Sequence, residues 1–204
     1  MKIAIIAGTF FPFPGGAQVQ THNLANKLIE KKNDVDCYIY SPTNIKNKNY
    51  KTYVINYYIT SLVFFMKYYL NINFNFVLDL YIKKLIHKKK YDIWYFNFIN
   101  FKSILIINSL KRLNQKVAVT FQGIDIQKEK KINYGFRFDK KYEKILKKSL
   151  DNIDIFLSIS KNVKKDLLSL NVDIKKIFDI SNCVYLKKFK NYKKKKIMNL
   201  NLLQ

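Results

Sequence analysis

The chain has 204 residues, 49% of them hydrophobic, which suffices for one sizeable core and leaves little for a second. Lys and Arg number 38 against 14 Asp and Glu, a net charge of +24. Such an excess argues against cationic partners and favours anionic ones: nucleic acid, a membrane surface or a phosphorylated ligand. Codon bias is a second sufficient origin for the charge, since Lys, Asn, Ile, Tyr and Phe are all abundant and all use A/T-rich codons.

In chain order, Lys2–Ala7 is a short apolar run that reads as a buried strand. It is too short for the apolar region of a secretory signal, and no small-residue cleavage site follows. Leu24, Ala25, Leu28 and Ile29 fall at helical spacing within Ala17–Lys31, and Val35–Tyr40 reads as a second strand. Asn44–Asn49 is loop-like. Tyr53–Leu70 fits either strand or helix; its apolar part ends at Lys67, short of the roughly 20 residues that cross a bilayer. Phe76–Lys88 predicts a helix, Asp92–Phe98 a strand, Phe101–Leu113 a helix and Lys116–Phe121 a strand. Phe136–Leu150 predicts a basic helix, Ile153–Ile159 a strand, Ser160–Leu170 a helix and Ile177–Ile180 a last short strand. This alternation implies parallel βαβ units with right-handed crossovers. The expected fold is α/β, a Rossmann-like parallel sheet with helices on both faces, over residues 1–189. Residues 190–204 are expected to form a low-complexity basic tail.

Only 5 glycines occur, yet Gly15 and Gly16 are adjacent, between the first strand and the first helix. In open α/β sheets that is the ligand-facing position. Glycine allows close backbone approach, and the amides that open the helix face any bound anion. Pro12 and Pro14 stiffen the approach. A cradle for phosphate or sugar and a tight packing turn fit this pair equally. Neither the G-x-G-x-x-G dinucleotide fingerprint nor the P-loop is present, which argues against a nicotinamide dehydrogenase.

The opening "MKIAIIAGTFFPFPGGAQVQTHNLANKLIEKKNDV" resembles that of family-4 glycosyltransferases, where a strand leads through a Pro-containing loop to Gly-Gly and a helix. Further on, "YDIWYFNF", "KVAVTFQGIDI" and "DIFLSISKNVKKDLLSLNVDIKKIFDISNCVYLKKF" are similar to later family motifs, in the family's order, so the resemblance spans about residues 1–189. It implies the N-terminal, acceptor-side domain of a two-domain GT-B fold. It further implies a retaining enzyme that moves a sugar from a nucleoside-diphosphate donor to a glycan or lipid-linked acceptor, with no cofactor and no metal. Carried over residue by residue, Gly15 and Gly16 face the donor phosphates and the acceptor. Gln122 stands for the family's active-site histidine, while Gly123 and Asp125 keep the rest of that motif, so Gln122 and Asp125 are the catalytic candidates. Tyr95 and Asn97 replace two histidines, and Asn97 joins the binding candidates. Asn182 keeps the asparagine of the Asn-Gly-Val-Asp motif, whereas Cys183 and Tyr185 depart from it.

Gln122 does not titrate, so it can orient a hydroxyl or phosphate but cannot act as a general base. The family's donor domain carries a basic pair and an E-x7-E motif, and neither is found after Phe189. The expectation is therefore a chain truncated before the donor domain and inactive alone. A frame slip within Lys193–Lys196, a separate donor-domain polypeptide or a stand-alone binding module would each account for this.

His22 and His87 are expected on solvated faces. Cys37 and Cys183 form no C-x-x-C and are expected as free thiols, which points to the cytoplasm. Asp125 fits either a functional role or an Asx-type turn, and Asn182 either ligand binding or loop capping. The clusters Lys83–Lys90 and Lys140–Lys148, beside the aromatic Tyr53–Tyr69, suit either a solvated face or peripheral contact with an anionic bilayer. An alternative function is a non-catalytic basic module for such a surface or for nucleic acid. No RNP aromatic motif, helix-turn-helix signature or zinc spacing supports nucleic acid as partner.

Overall fold

The first strand, β1 (Lys2–Ala7), shows how the sheet is made. Ile3, Ile5 and Ala7 enter one core and Ala4 and Ile6 the other, so the strand is buried on both faces, as a central parallel strand must be. A computed structural model describes residues 1–7, 15–40 and 48–182 of the chain. Gly8, Pro12, Pro14, Asn44, Cys183, Tyr185, Lys193–Lys196 and the basic tail lie outside the described residues. After β1 come α1 (Gly16–Glu30), β2 (Asp34–Ile39), β3 (Lys51–Val54), α2 (Tyr57–Tyr68), α3 (Asn75–Lys88), β4 (Ile93–Phe96) and α4 (Phe101–Arg112). They are followed by β5 (Val117–Phe121), α5 (Lys140–Ser149), β6 (Ile155–Ser158), α6 (Lys161–Ser169) and β7 (Ile177–Asp179).

All strand pairs are parallel, in the order β3-β2-β1-β4-β5-β6-β7. The Rossmann-like α/β fold read from the alternation is therefore the fold observed, with helices on both faces, though unevenly. Residues of α2 to α6, among them Val63, Ile82, Ile106, Leu146 and Leu167, share one core with Trp94, Phe96, Phe121 and Phe156. The other core, between α1 and the strands, is smaller and includes Ala25, Cys37, Ile39 and Ala118.

Polar side chains set where most helices begin. The Asn56, Asn100, Asp139 and Ser160 side chains accept from backbone N–H groups of the first turns of α2, α4, α5 and α6. Asp139 thus shortens the helix expected over Phe136–Leu150, and 3-10 turns flank it on both sides. The ambiguous stretch from Tyr53 resolves into the end of an exposed edge strand, β3, and the separate helix α2, divided at the Asn56 cap.

One histidine differs from expectation. His22 is buried, with Nδ1 2.6 Å from the Tyr50 hydroxyl and its ring edge-on to that ring. His87 is exposed at the end of α3. Cys37 is a free, buried thiol whose pKa burial pushes upward, so it is chemically quiet.

Candidate active site

The chain runs outward from β1 to β2 and β3 in one direction and from β4 to β7 in the other, so the switch point lies between β1 and β4. A crevice outside the carboxyl ends of the strands is expected there. Three segments border it: the start of α1, the residues after β4 and the residues after β5.

Gly15 is the N-cap of α1, with φ 159°. A Cβ there would run into the Gln18 side chain, whereas a Cβ on Gly16 would meet nothing within 4 Å among the described residues. Among those residues no side chain caps this helix, and its first turn holds no acidic residue. The first N–H groups of a helix have no intrahelical acceptor, so this start is an electropositive end.

Asn97 joins the three segments. Its Nδ2 donates to the Ala17 carbonyl at 3.0 Å and to Thr21 Oγ1 at 2.8 Å, which fixes the start of α1 to the end of β4. Its Oδ1 accepts from the Tyr95 hydroxyl at 2.9 Å and from Gln122 Nε2 at 3.0 Å. Gln122 Nε2 also donates to the Asn97 carbonyl at 3.1 Å. The Gln122 amide nitrogen is thereby held, and its Oε1 accepts no hydrogen bond from a described residue. The result is an amide ladder from α1 through Asn97 to Gln122 that leaves one carbonyl oxygen to orient a donor.

Asp125 faces the other way. It is 0% exposed, and its Oδ1 accepts from the backbone N–H of Gln122 and of Gly123, each at 3.0 Å. Oδ2 lies 3.4 Å from the backbone N of Ile99. Burial pushes its pKa up to about 7, opposed by the bonds from Ile99, its own N–H, Gln122 and Gly123. Asp125 is thus a positioning residue: the carboxylate expected to be catalytic is enclosed by backbone and holds the turn that presents Gln122. Gly123, in the same turn at φ +115°, is buried.

Asn182 follows β7 and lines a groove of about 380 Å³ with Asn97, Leu24, Tyr95 and Thr120, on the α1 face of the sheet. Asn97 is common to this groove and to the ladder, so the structure joins Asn182 to the site through it; Gly15, Gly16 and Gln122 do not line the groove.

The connection from β5 to α5 holds residues that sequence reasoning missed. Arg137 donates to the Ile126 carbonyl at 3.0 Å and to Glu143 Oε1 at 3.0 Å, while Lys128 donates to Glu143 Oε2 at 3.1 Å. Gly135 has φ +120°, and a Cβ there would overlap the Gln127 carbonyl oxygen. A lone glycine 12 residues after Gly123 in a basic stretch was the one available signal. Among the described residues no group of three His, Cys, Asp or Glu side chains could hold a metal ion, and no helix is long and apolar enough to cross a membrane.

A seven-stranded parallel sheet with a glycine-opened helix at its switch point defines a Rossmann-like α/β domain. The chain matches the model of Glycosyltransferase Family 4 over residues 14–188, and it belongs to that family. Its fold resembles the Anabaena protein Alr3699/HepE in complex with UDP and glucose, with a TM-score of 0.62 at 12% identity, over 92% of this chain and 46% of that one. It also resembles the UDP-GlcNAc 2-epimerase of Methanocaldococcus jannaschii in complex with UDP-GlcNAc and UDP, with a TM-score of 0.59 at 18% identity, over 89% of this chain and 47% of that one. The UDP-N-acetylglucosamine 2-epimerase of Rickettsia bellii gives 0.58 at 12% identity, over 89% and 45%. The chain spans about half the length of these proteins. No curated protein sequence matches it.

Proposed function

We propose that the chain is the acceptor-side part of a retaining glycosyltransferase that moves a sugar from a nucleoside-diphosphate donor to a glycan or lipid-linked acceptor. Family membership supports the reaction class, and two structural relatives, one in complex with UDP and glucose and one with UDP-GlcNAc and UDP, support the donor class. The observation that carries the reading is the amide ladder from α1 through Asn97 to Gln122 beside an uncapped helix start.

In this reading the N–H groups of the first turn of α1 face the donor phosphates, where the helix field favours negative charge. Gly16 leaves that approach open. Gln122 Oε1 accepts a hydrogen bond from the acceptor hydroxyl as it docks and so orients its oxygen toward the anomeric carbon. As the new C–O bond forms and the bond from the anomeric carbon to the phosphate oxygen breaks, that hydrogen turns from Gln122 to the departing phosphate oxygen, which takes the proton, so no residue need titrate. Positioning and charge stabilisation then supply the rate. The donor's nucleotide needs a second wall, which a donor domain supplies in this reading. Asn182, on the groove that Asn97 borders, is placed for the sugar or acceptor side.

Calorimetric titration with UDP tests the cradle. Wild-type chain is expected to bind, and Gly15→Val, which places a branched side chain against Gln18, is expected to weaken Kd at least about tenfold, or about 1.4 kcal/mol, with the fold intact by circular dichroism. Equal affinity in the two proteins would overturn the assignment of α1 to the phosphates.

A further inference from the structure

α2 is apolar on two sides. Thr60 and Val63 are buried, as a core-facing stripe requires. The opposite stripe, Tyr58, Leu62, Phe65 and Tyr69, repeats at steps of four, three and four residues and is 82%, 47%, 48% and 60% exposed. Leu70 and Ile72 in the following turn, and Phe76 and Leu80 on α3, are exposed as well. So much exposed aromatic and aliphatic surface along one helix marks a contact site.

Its surroundings are basic. Beside α2 a groove of about 420 Å³ has an aromatic wall of Tyr68, Tyr69 and Phe101 and a rim of Lys67, Lys141, Lys144 and Lys148. Lys141, Lys144 and Lys148 stand one turn apart on α5, and Lys67, Lys144 and Lys148 have no ion-pair partner among the described residues. No acidic residue lines the groove. Within residues 55–88 the one acid, Asp79, is already paired with Arg112. α2 also sits near the carboxyl edge of the sheet, because Phe64 and Tyr68 pack edge-on against Phe101 at the start of α4 and Lys141 at the start of α5 donates to the Tyr68 carbonyl.

We infer that the outer face of α2, with the Lys67–Lys148 groove, docks the protein on a bilayer of acidic phospholipids, with the aromatic stripe at acyl-chain level and the lysines among the headgroups. Apolar surface rimmed by lysines, with the nearest carboxylate, Asp139, held by the Tyr68 hydroxyl and by the first turn of α5, suits a lipid interface, whereas a protein partner would leave the lysines to be matched one by one. The inference does not depend on the reaction proposed above.

Sedimentation of the chain with vesicles tests it, using phosphatidylcholine alone or with about a third phosphatidylglycerol. The wild type is expected to pellet only with the acidic vesicles. Tyr58→Ser with Phe65→Ser, both on exposed positions, is expected to lower the partition constant at least about tenfold. Lys67→Gln with Lys144→Gln and Lys148→Gln is expected to lower it by more than about twentyfold at low salt. The same charge removed from the exposed Lys161, Lys165 and Lys175 is expected to change it less than about threefold. Three results would overturn the inference: no pelleting of the wild type, equal losses from the two lysine sets, or an unchanged partition of the aromatic variant. A dimer in light scattering that the aromatic variant dissolves, without vesicle binding, would assign the face to a second copy instead.

Discussion

The connection from β5 to α5 and the first turn of α1 meet at the same crevice but are built in opposite ways. In the connection, buried polar groups find partners: Asp125 takes backbone N–H groups, Arg137 takes a carbonyl and Glu143, and Tyr142 donates to the Asp125 carbonyl at 2.9 Å. Among the described residues the first turn of α1 has no side-chain cap, no acid and nothing against Gly16. A buried polar group left unpaired is costly, so the connection must be closed to be stable. An exposed helix start can stay open at small cost because water satisfies it. The contrast separates a frame that holds Gln122 from a surface proposed to face ligand, and substitutions on the two sides are expected to fail in different measurements.

The largest effect is expected at Gly135. Any side chain there must adopt φ near +120° and displace the Gln127 carbonyl, so Gly135→Ala is expected to lower unfolding stability by about 3 kcal/mol or more in denaturant titration. A loss under about 1 kcal/mol would show that the connection yields and is not a rigid frame.

Much of this division was legible in the sequence, but not its cause. β1 was read at its observed bounds, and α1, α4 and β5 to within one residue, because each carries its own apolar period. β3 stays open between strand and helix in the sequence, with its first two residues outside the stretch, because its largely exposed edge residues run straight into the apolar helix that follows. His22 was placed on the solvated side because Leu24, Ala25, Leu28 and Ile29 mark the apolar stripe. In the fold Ala25 is buried as read, but Leu24, Leu28 and Ile29 are only partly buried, and Thr21 and His22 join Ala25 in the interior because Asn97 takes the Thr21 hydroxyl and Tyr50 arrives from a distant segment to meet His22. The candidate residues Gly15, Gly16, Asn97, Gln122 and Gly123 could be picked out by motif order, and the structure links Asn97 to Gln122 and to the start of α1 by hydrogen bonds. That Asp125 points into the backbone, and that Arg137 needs Glu143, are facts of tertiary contact with no periodicity to announce them.

A smaller effect, and one with a pH signature, is expected at Asp125. Its folded pKa is raised from 3.8 to about 7 by burial, so its contribution to stability is fully present below about pH 4 and is lost as pH rises through 7. Asp125→Asn carries no such titration. The stability of the variant minus that of the wild type is therefore expected to increase steadily between pH 4.5 and 7.5, on the order of 2 kcal/mol across that interval, whatever the constant offset from altered hydrogen bonds. Chemical denaturation at four pH values would show it. A flat difference would mean that the bonds from Gln122, Gly123 and Ile99 outweigh burial and keep the carboxylate ionised throughout.

The smallest stability effect is expected at Gln122, and it sharpens the contrast most. Its side chain is only partly buried and it spends its amide nitrogen on Asn97, whose Oδ1 keeps the bond from the Tyr95 hydroxyl when Gln122 is removed. Gln122→Ala should therefore cost no more than about 1 kcal/mol of unfolding stability. If the residue belongs to the ligand-facing side, the same variant should still bind UDP through α1 while losing the acceptor, because a hydroxyl would find no Oε1 to receive it. A stability loss as large as that of Gly135→Ala would instead place Gln122 with the frame, and the open side of the crevice would shrink to the first turn of α1.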